Sequence, residues 1–184
     1  LAQTWELHDK GISAFALFSE SGLFASGAID GTILLGQVDN GEILHRLNGA
    51  KKGITALKFS PNGQQLAVTA RDKKLRLFSV AEPESVNTIV AHHDQLSDVA
   101  YSRRGQIIAT ASHDGEAKLW SSEVGQSFRR FKAHYEAVHS VHLSPIGQEI
   151  AVTGAADGQV AIWPLVEGKE PILMHGHVGS VNAV

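Results

Sequence analysis

An all-β fold assembled from repeated four-stranded units is what the sequence predicts, and three observations predict it. The chain repeats with one period, the segments between the repeat markers are short and rich in Val, Ile and Leu, and no stretch sustains a capped helical period. Several independent markers carry the period. The turn segments AIDG, ARDK, SHDG and AADG place Asp30, Asp72, Asp114 and Asp157 at intervals of 42, 42 and 43 residues, and six residues after each Asp stand Gly36, Phe78, Trp120 and Trp163. His8, Ala50, His92, His134 and His177 recur at 42, 42, 42 and 43. The turn glycines Gly22, Gly63, Gly105 and Gly147 keep the same beat, the last three inside SPNG, SRRG and SPIG.

Each unit then resolves into strands a to d. Strand a is marked by apolar residues 4, 7 and 9 positions after the His marker, as in Ile54, Leu57 and Phe59 or Val138, Val141 and Leu143. Strand b follows the turn glycine, as in Gln65 to Ala70 and Ile107 to Ala111, and strand c follows the Asp turn, as in Leu75 to Val80 and Val160 to Trp163. All are bounded by Gly, Asp, Asn or Pro. With strand d the unit is complete at about 42 residues. The units are expected at about 11–47, 53–90, 95–132 and 137–174 within one segment spanning 1–184. Residues 2–7 would be the outer strand of a preceding unit and 180–184 the start of a fifth, so both ends are expected to be open.

Composition excludes several classes. The chain has 184 residues, 43% hydrophobic and 19% charged, with a net charge of −3, which suits a globular protein rather than a disordered one. Apolar runs end after five or six residues, as in Ala14 to Phe18, too short for a transmembrane helix. No membrane association is therefore expected. Lys and Arg number 16 against 19 Asp and Glu, which argues against general nucleic-acid binding. Cysteine is absent, excluding disulfides, thiolate zinc sites and cysteine nucleophiles. The sequence starts at Leu1 and its one Met is Met174, so we expect a fragment of a longer protein.

The segments ASHDGEAKLW (111–120) and GAADGQVAIW (154–163) resemble WD40 repeats, as do the Ala91-His92 and Ala133-His134 pairs and the SPxG-like turns before them. The resemblance runs from Trp5 to Val184. It implies a WD40 β-propeller, here a partial ring of four four-stranded antiparallel blades with strand fragments at both ends. It also implies a structural tetrad in each blade, in which the indole N–H donates to a hydroxyl, the hydroxyl meets an imidazole and the imidazole meets an Asp carboxylate. His92, Thr110, Asp114 and Trp120 form a complete set, as do His134, Thr153, Asp157 and Trp163. The first blade offers His8, Ser26 and Asp30 but Gly36 in place of Trp, and the second only Asp72, with Ala50, Val68 and Phe78 elsewhere.

Function follows from the same resemblance: a non-catalytic protein-interaction scaffold or recognition module, a subunit of a complex that binds peptides or domains on the top face of the propeller. The alternatives are a regulatory segment attached to a nucleotide-hydrolysing or kinase domain elsewhere, or a propeller enzyme using the central channel. An intracellular setting is favoured by the resemblance alone. A Ser/Thr, His and Asp set invites a catalytic-triad reading, but one that recurs in each blade and ends in Trp is better explained as structure. No metal site or cofactor is expected. His139 and His142 stand three apart in a strand and diverge, adjacent His92 and His93 diverge too, and only His175 and His177 share same-face spacing. No phosphate-binding glycine loop is present.

The second unit is rich in cations, with Lys51, Lys52, Arg71, Lys73, Lys74 and Arg76, read as a solvated rim or as a dock for an acidic or phosphorylated partner. Arg129, Arg130 and Lys132 fall on an outermost strand, where cations discourage edge pairing. The candidate partner-binding residues of the top face are Lys10, Lys52, Arg71, His93, Asp94, His113, Tyr135 and Glu136. Lys10 and Lys52 hold the same repeat position as Asp94 and Glu136, so the face is expected to change sign from basic to acidic along the chain.

Overall fold

The structure, a computed structural model, describes residues 4–84, 86–132, 134–144, 150–166 and 168–184; Gly147 and Ala133 of the repeat markers lie outside them. Four antiparallel sheets hold four strands each in chain order. The first contains β1 (Ile12–Phe18), β2 (Leu23–Ala28), β3 (Thr32–Gln37) and β4 (Ile43–Asn48). The second contains β5 (Ile54–Phe59), β6 (Gln65–Ala70), β7 (Lys74–Ser79) and β8 (Val86–Val90). The third is β9 (Leu96–Tyr101), β10 (Ile107–Ser112), β11 (Ala117–Ser121) and β12 (Ser127–Phe131), and the fourth β13 (Val138–Leu143), β14 (Ile150–Ala155), β15 (Val160–Pro164) and β16 (Ile172–Met174). The first strands adjoin in the order β1, β5, β9, β13, as in a propeller, and the sheets do not close into a ring. No helix occurs among the described residues.

The core lies between sheets. Ile54, Leu57 and Phe59 pack with Ile33, Leu35 and Leu47 of the first sheet; Leu96 and Val99 pack with Leu75 and Leu77; Val138 and Val141 pack with Leu119 and Phe131. Strict alternation would put positions 4 and 7 after the His marker on opposite faces. A bulge resolves this in every sheet: the register shifts between Ile12 and Ala14, Ile54 and Ala56, and Val138 and Ser140, and between Asp98 and Leu96 in the pairing of β9 with β10. One extra residue in each first strand brings all three apolar side chains to one side.

The first sheet lacks a neighbour on that side. Ile12, Phe15 and Leu17 are 53%, 54% and 60% exposed, whereas their nine counterparts in the other sheets are at most 9% exposed. Trp5 covers the outer part of this face, stacking on Phe24, which stacks in turn on Phe15. Residues 4–7 carry no ladder, though Arg46 Nη2 reaches the Leu7 carbonyl. At the other end, residues 180–184 are also outside any strand, and Val181 seats over Gly154 as Ile54 seats over Gly27.

Gly36 stands where a Trp recurs, and its strand partner Phe24 explains the exchange. A Cβ on Gly36 would lie 2.5 Å from the Glu42 carbonyl oxygen and 2.7 Å from the Phe24 ring, so the aromatic ring stands on β2 rather than β3, and the ring and the adjoining backbone together require glycine opposite. The turns between the second and third strands also need a positive φ after the Asp. Gly31, Gly115 and Gly158 supply it at 91°, 81° and 77°, but the second sheet holds Lys73 at 71°.

Candidate functional site

The last two sheets each hold a buried polar chain. His92 Nδ1 lies 3.0 Å from Asp114 Oδ2, His92 Nε2 is 2.8 Å from Thr110 Oγ1, and Trp120 Nε1 donates to the same hydroxyl oxygen at 2.9 Å. The fourth sheet repeats this with His134 Nδ1 at 3.1 Å from Asp157, His134 Nε2 at 2.8 Å from Thr153 and Trp163 Nε1 at 3.0 Å from Thr153. With the imidazole proton on Nδ1, every donor has one acceptor: indole to hydroxyl, hydroxyl to Nε2, Nδ1–H to carboxylate. The carboxylates do a second job. Asp114 accepts from His93 N at 2.9 Å and Glu116 N at 3.1 Å, while Asp157 accepts from Tyr135 N at 3.2 Å and Gln159 N at 3.0 Å. Each therefore ties the loop entering its sheet to a turn within that sheet. Burial acts to raise the Asp114 carboxyl, but the hydrogen bonds from His92, His93 N and Glu116 N outweigh it and hold it well below the usual carboxylate range.

The first two sheets depart from the expected pattern. His8 Nε2 meets Ser26 Oγ at 2.8 Å, but its buried Nδ1 has no partner, and Asp30 is exposed with its carboxylate accepting from Thr32 N. Asp30 thus does not complete a network. Burial lowers the His8 imidazole, with Asp30 opposing and Arg46 reinforcing the change. Asp72 is not left alone either. It holds the buried Arg76 guanidinium through two hydrogen bonds, 3.1 and 2.5 Å long. Arg76 is therefore no part of a solvated rim: with Val68 opposite it on β6, its charge occupies space beside the absent hydroxyl and imidazole. Burial opposes but does not cancel the effect of Arg76 in lowering the Asp72 carboxyl.

The loops entering the sheets and the Asp turns share one end of the molecule. Lys10, Lys52, Arg71, His93, Asp94, Tyr135 and Glu136 are all exposed there, and Tyr135 is 90% exposed on a backbone held by Asp157. Lys73 Nζ crosses to the His93 carbonyl at 2.6 Å. His113 is half-buried and turned toward the axial side, where Gln95 Nε2 meets its Nδ1 at 3.0 Å and the His139 ring stands edge-on with centroids 5.6 Å apart. Burial lowers the His113 imidazole, His139 and Arg71 add to this, and Asp94 opposes it. His139 and Gln95 were not among the expected residues of this face. Strand spacing places His139 within its own strand but says nothing of a histidine on the preceding blade.

A cleft of about 280 Å³ opens here, lined by Ser13, Thr55, Arg71, Gln95, Ser97 and His113. A larger cleft of about 610 Å³ lies between the second and third sheets at the opposite end, where Asn62, Gln65, Asn87, Gln106 and Arg104 contribute. On the outer strands, Arg130 Nη1 is 3.7 Å from Glu116 and Arg129 lies over Phe131. No group of three His, Asp or Glu side chains among the described residues is arranged to hold a metal ion.

Sheet topology, repeated turn chemistry and the indole-to-carboxylate chains together define a repeat propeller class. The chain belongs to the WD40 family: residues 1–35, 41–79, 83–121 and 125–164 match the WD domain, G-beta repeat. Each match from 41 onward takes in the last strand of one sheet and the first three of the next, so consecutive repeats interlock adjacent blades. Protein tipD of Dictyostelium discoideum is 30% identical over 88 residues, which is 48% of this chain and 14% of that protein. The solved structures of U3-55K and of the RRP9 WD40 repeats superpose with a TM-score of 0.87 at 23% identity, covering 96% of this chain and 55% of theirs. The chain therefore spans about half the length of those structures. WD40 repeats on this architecture support a protein-interaction module of a typically non-catalytic class.

Proposed function

We propose that the end of the molecule bearing Lys52, Arg71, Asp94, Tyr135 and Glu136 is a docking face for a partner peptide or domain. The acidic part of the partner meets Lys52 and Arg71, its basic part meets Asp94 and Glu136, and Tyr135 supplies an apolar anchor. One observation carries the reading: Tyr135 and His93 are exposed side chains whose backbones are fixed by the tetrad carboxylates. Recognition groups on a braced loop lose little entropy on binding. The module itself performs no chemistry in this reading. Thr110 and Thr153, the hydroxyls beside His and Asp, are fully buried and engaged with Trp, so neither is within reach of a substrate.

Charge reversal tests the face. Lys52→Glu with Arg71→Glu, and separately Asp94→Lys with Glu136→Lys, are expected to weaken affinity capture of partners from cell extract by the protein while its melting temperature is unchanged. Arg103→Glu with Arg104→Glu, on the turn at the opposite end, is expected to leave capture intact. If only that last pair abolishes capture, the docking face lies at the other end.

A further inference from the structure

Three groups able to carry positive charge converge at the axial cleft between the second and third blades. Arg71 and His113 line it, and the ring of His139 stands edge-on to His113 with centroids 5.6 Å apart. We propose that this cleft binds the anionic end of a partner side chain, a carboxylate or a phosphate, between the Arg71 guanidinium and Nε2–H of His113. This deepens the docking-face reading and rests on it.

The hydrogen-bond inventory of the cleft singles out these two donors. Its hydroxyls are already engaged in the fold: Ser13 Oγ donates to the Ile54 carbonyl at 2.6 Å, Ser97 Oγ to the Val138 carbonyl at 2.5 Å, and Thr55 Oγ1 to Thr69 Oγ1 at 3.0 Å. Gln95 Nε2 donates to His113 Nδ1, which fixes the proton of the neutral ring on Nε2. Arg71 is in no ion pair among the described residues, although the adjacent Asp72 carries a carboxylate. That carboxylate is engaged with Arg76 on the other side of the turn. Arg71 is exposed and planar, suited to bidentate contact with an oxyanion.

Charge and size agree with an anion. The groups acting on His113 are His139, Asp94 and Arg71, two of them able to be cationic against one carboxylate. A volume of about 280 Å³ admits one side-chain headgroup and not a folded element. The site is also local. Ile29 and Ala156 take the positions of Arg71 and His113 in the first and fourth blades, so neither of those turns offers a charge.

Binding is tested on the full chain with inorganic phosphate and with acetate, titrated at constant ionic strength against chloride, by NMR of the Arg71 Nε–H and the His113 ring. Saturable shifts at both residues with a dissociation constant on the order of millimolar are expected for at least one anion. They should weaken at least tenfold in Arg71→Met and in His113→Gln, and persist in Arg104→Met. Saturation by both anions supports an acidic side chain as the natural ligand, and by phosphate alone a phosphorylated one. Absence of saturable shifts with either anion, or shifts unchanged in Arg71→Met, overturns the proposal. Because Lys52 and Tyr135 are not in the cleft, loss of partner capture on charge reversal without anion binding would remove the cleft and leave the docking face standing. Anion binding without loss of capture on either reversal would overturn the docking face and, because Arg71 is reversed in the first pair, would also overturn a partner side chain as the ligand of the cleft.

Discussion

Replacing the turn aspartates one at a time separates the structural roles of the four repeats. Asp114→Ala removes the acceptor for His92 Nδ1, whose side chain is wholly buried, and for two backbone N–H groups. A stranded buried donor costs about 1–3 kcal/mol, and the loop N–H of His93 recovers water, so a loss of about 2–4 kcal/mol is expected. Asp157→Ala should match it. Sequence alone predicts a smaller loss for Asp72→Ala, because the other members of its set are missing; the structure reverses this. That substitution leaves the Arg76 guanidinium buried with no counter-charge, and breaking such a pair costs about 3–5 kcal/mol. Asp30→Ala should have the smallest effect of the four, since its carboxylate is in solvent. The assay is urea denaturation followed by Trp fluorescence, with the slope checked for constancy. Arg76→Leu in the Asp72→Ala background should recover most of the loss, because Leu34 already occupies the equivalent place on β3. If Asp72→Ala is no more harmful than Asp30→Ala, or the double variant is as unstable as the single, the buried pair is not what organises the second blade.

Three further outcomes follow from the same geometry. Asp114 and Asp72 have folded-state carboxyls held below their unfolded value, so their stabilisation is complete above about pH 4 and is lost as pH falls further toward the folded values; denaturation midpoints from pH 7 to 3 should show this, and Asp114→Asn should flatten the fall. Lys73→Asn should relieve a left-handed backbone at a side chain that disfavours it, by about 0.5–1 kcal/mol, partly offset by the lost Lys73–His93 contact. A melting temperature that rises by about 1–3 °C agrees with this, and one that falls does not. Phe59→Ala should cost about 3–5 kcal/mol, whereas Leu17→Ala, the same repeat position on the uncovered face, should cost a small fraction of that; equal losses would mean that the Leu17 face is covered in solution.

Repeat spacing makes the fold legible in this sequence, because each marker is a local necessity. An Asp turn needs its carboxylate and positive φ at fixed separation, and a strand between two turns can vary only in which apolar residue it carries. The tetrads of the last two blades were legible for the same reason: all four residue types sit at the repeat positions, and the fold brings them within hydrogen-bond distance. What could not be read were the compensations. Gly36 looks like the loss of a Trp until its ladder partner is known to be Phe24, a relation between residues 12 apart that no repeat marker specifies. Arg76 looks like one more surface cation, since its burial depends on Val68 opposite and on Asp72 across the turn. The axial cleft was the least visible of all. Arg71, His113 and His139 come from three different blades, and only the rotation between blades brings them together. In a repeat protein the period encodes what each unit does for itself, while recognition arises where units differ. Exposed Arg71 and half-buried His113, rather than the buried Arg76, His92 and His134 of the same blades, are therefore where substitutions should alter binding with least effect on folding.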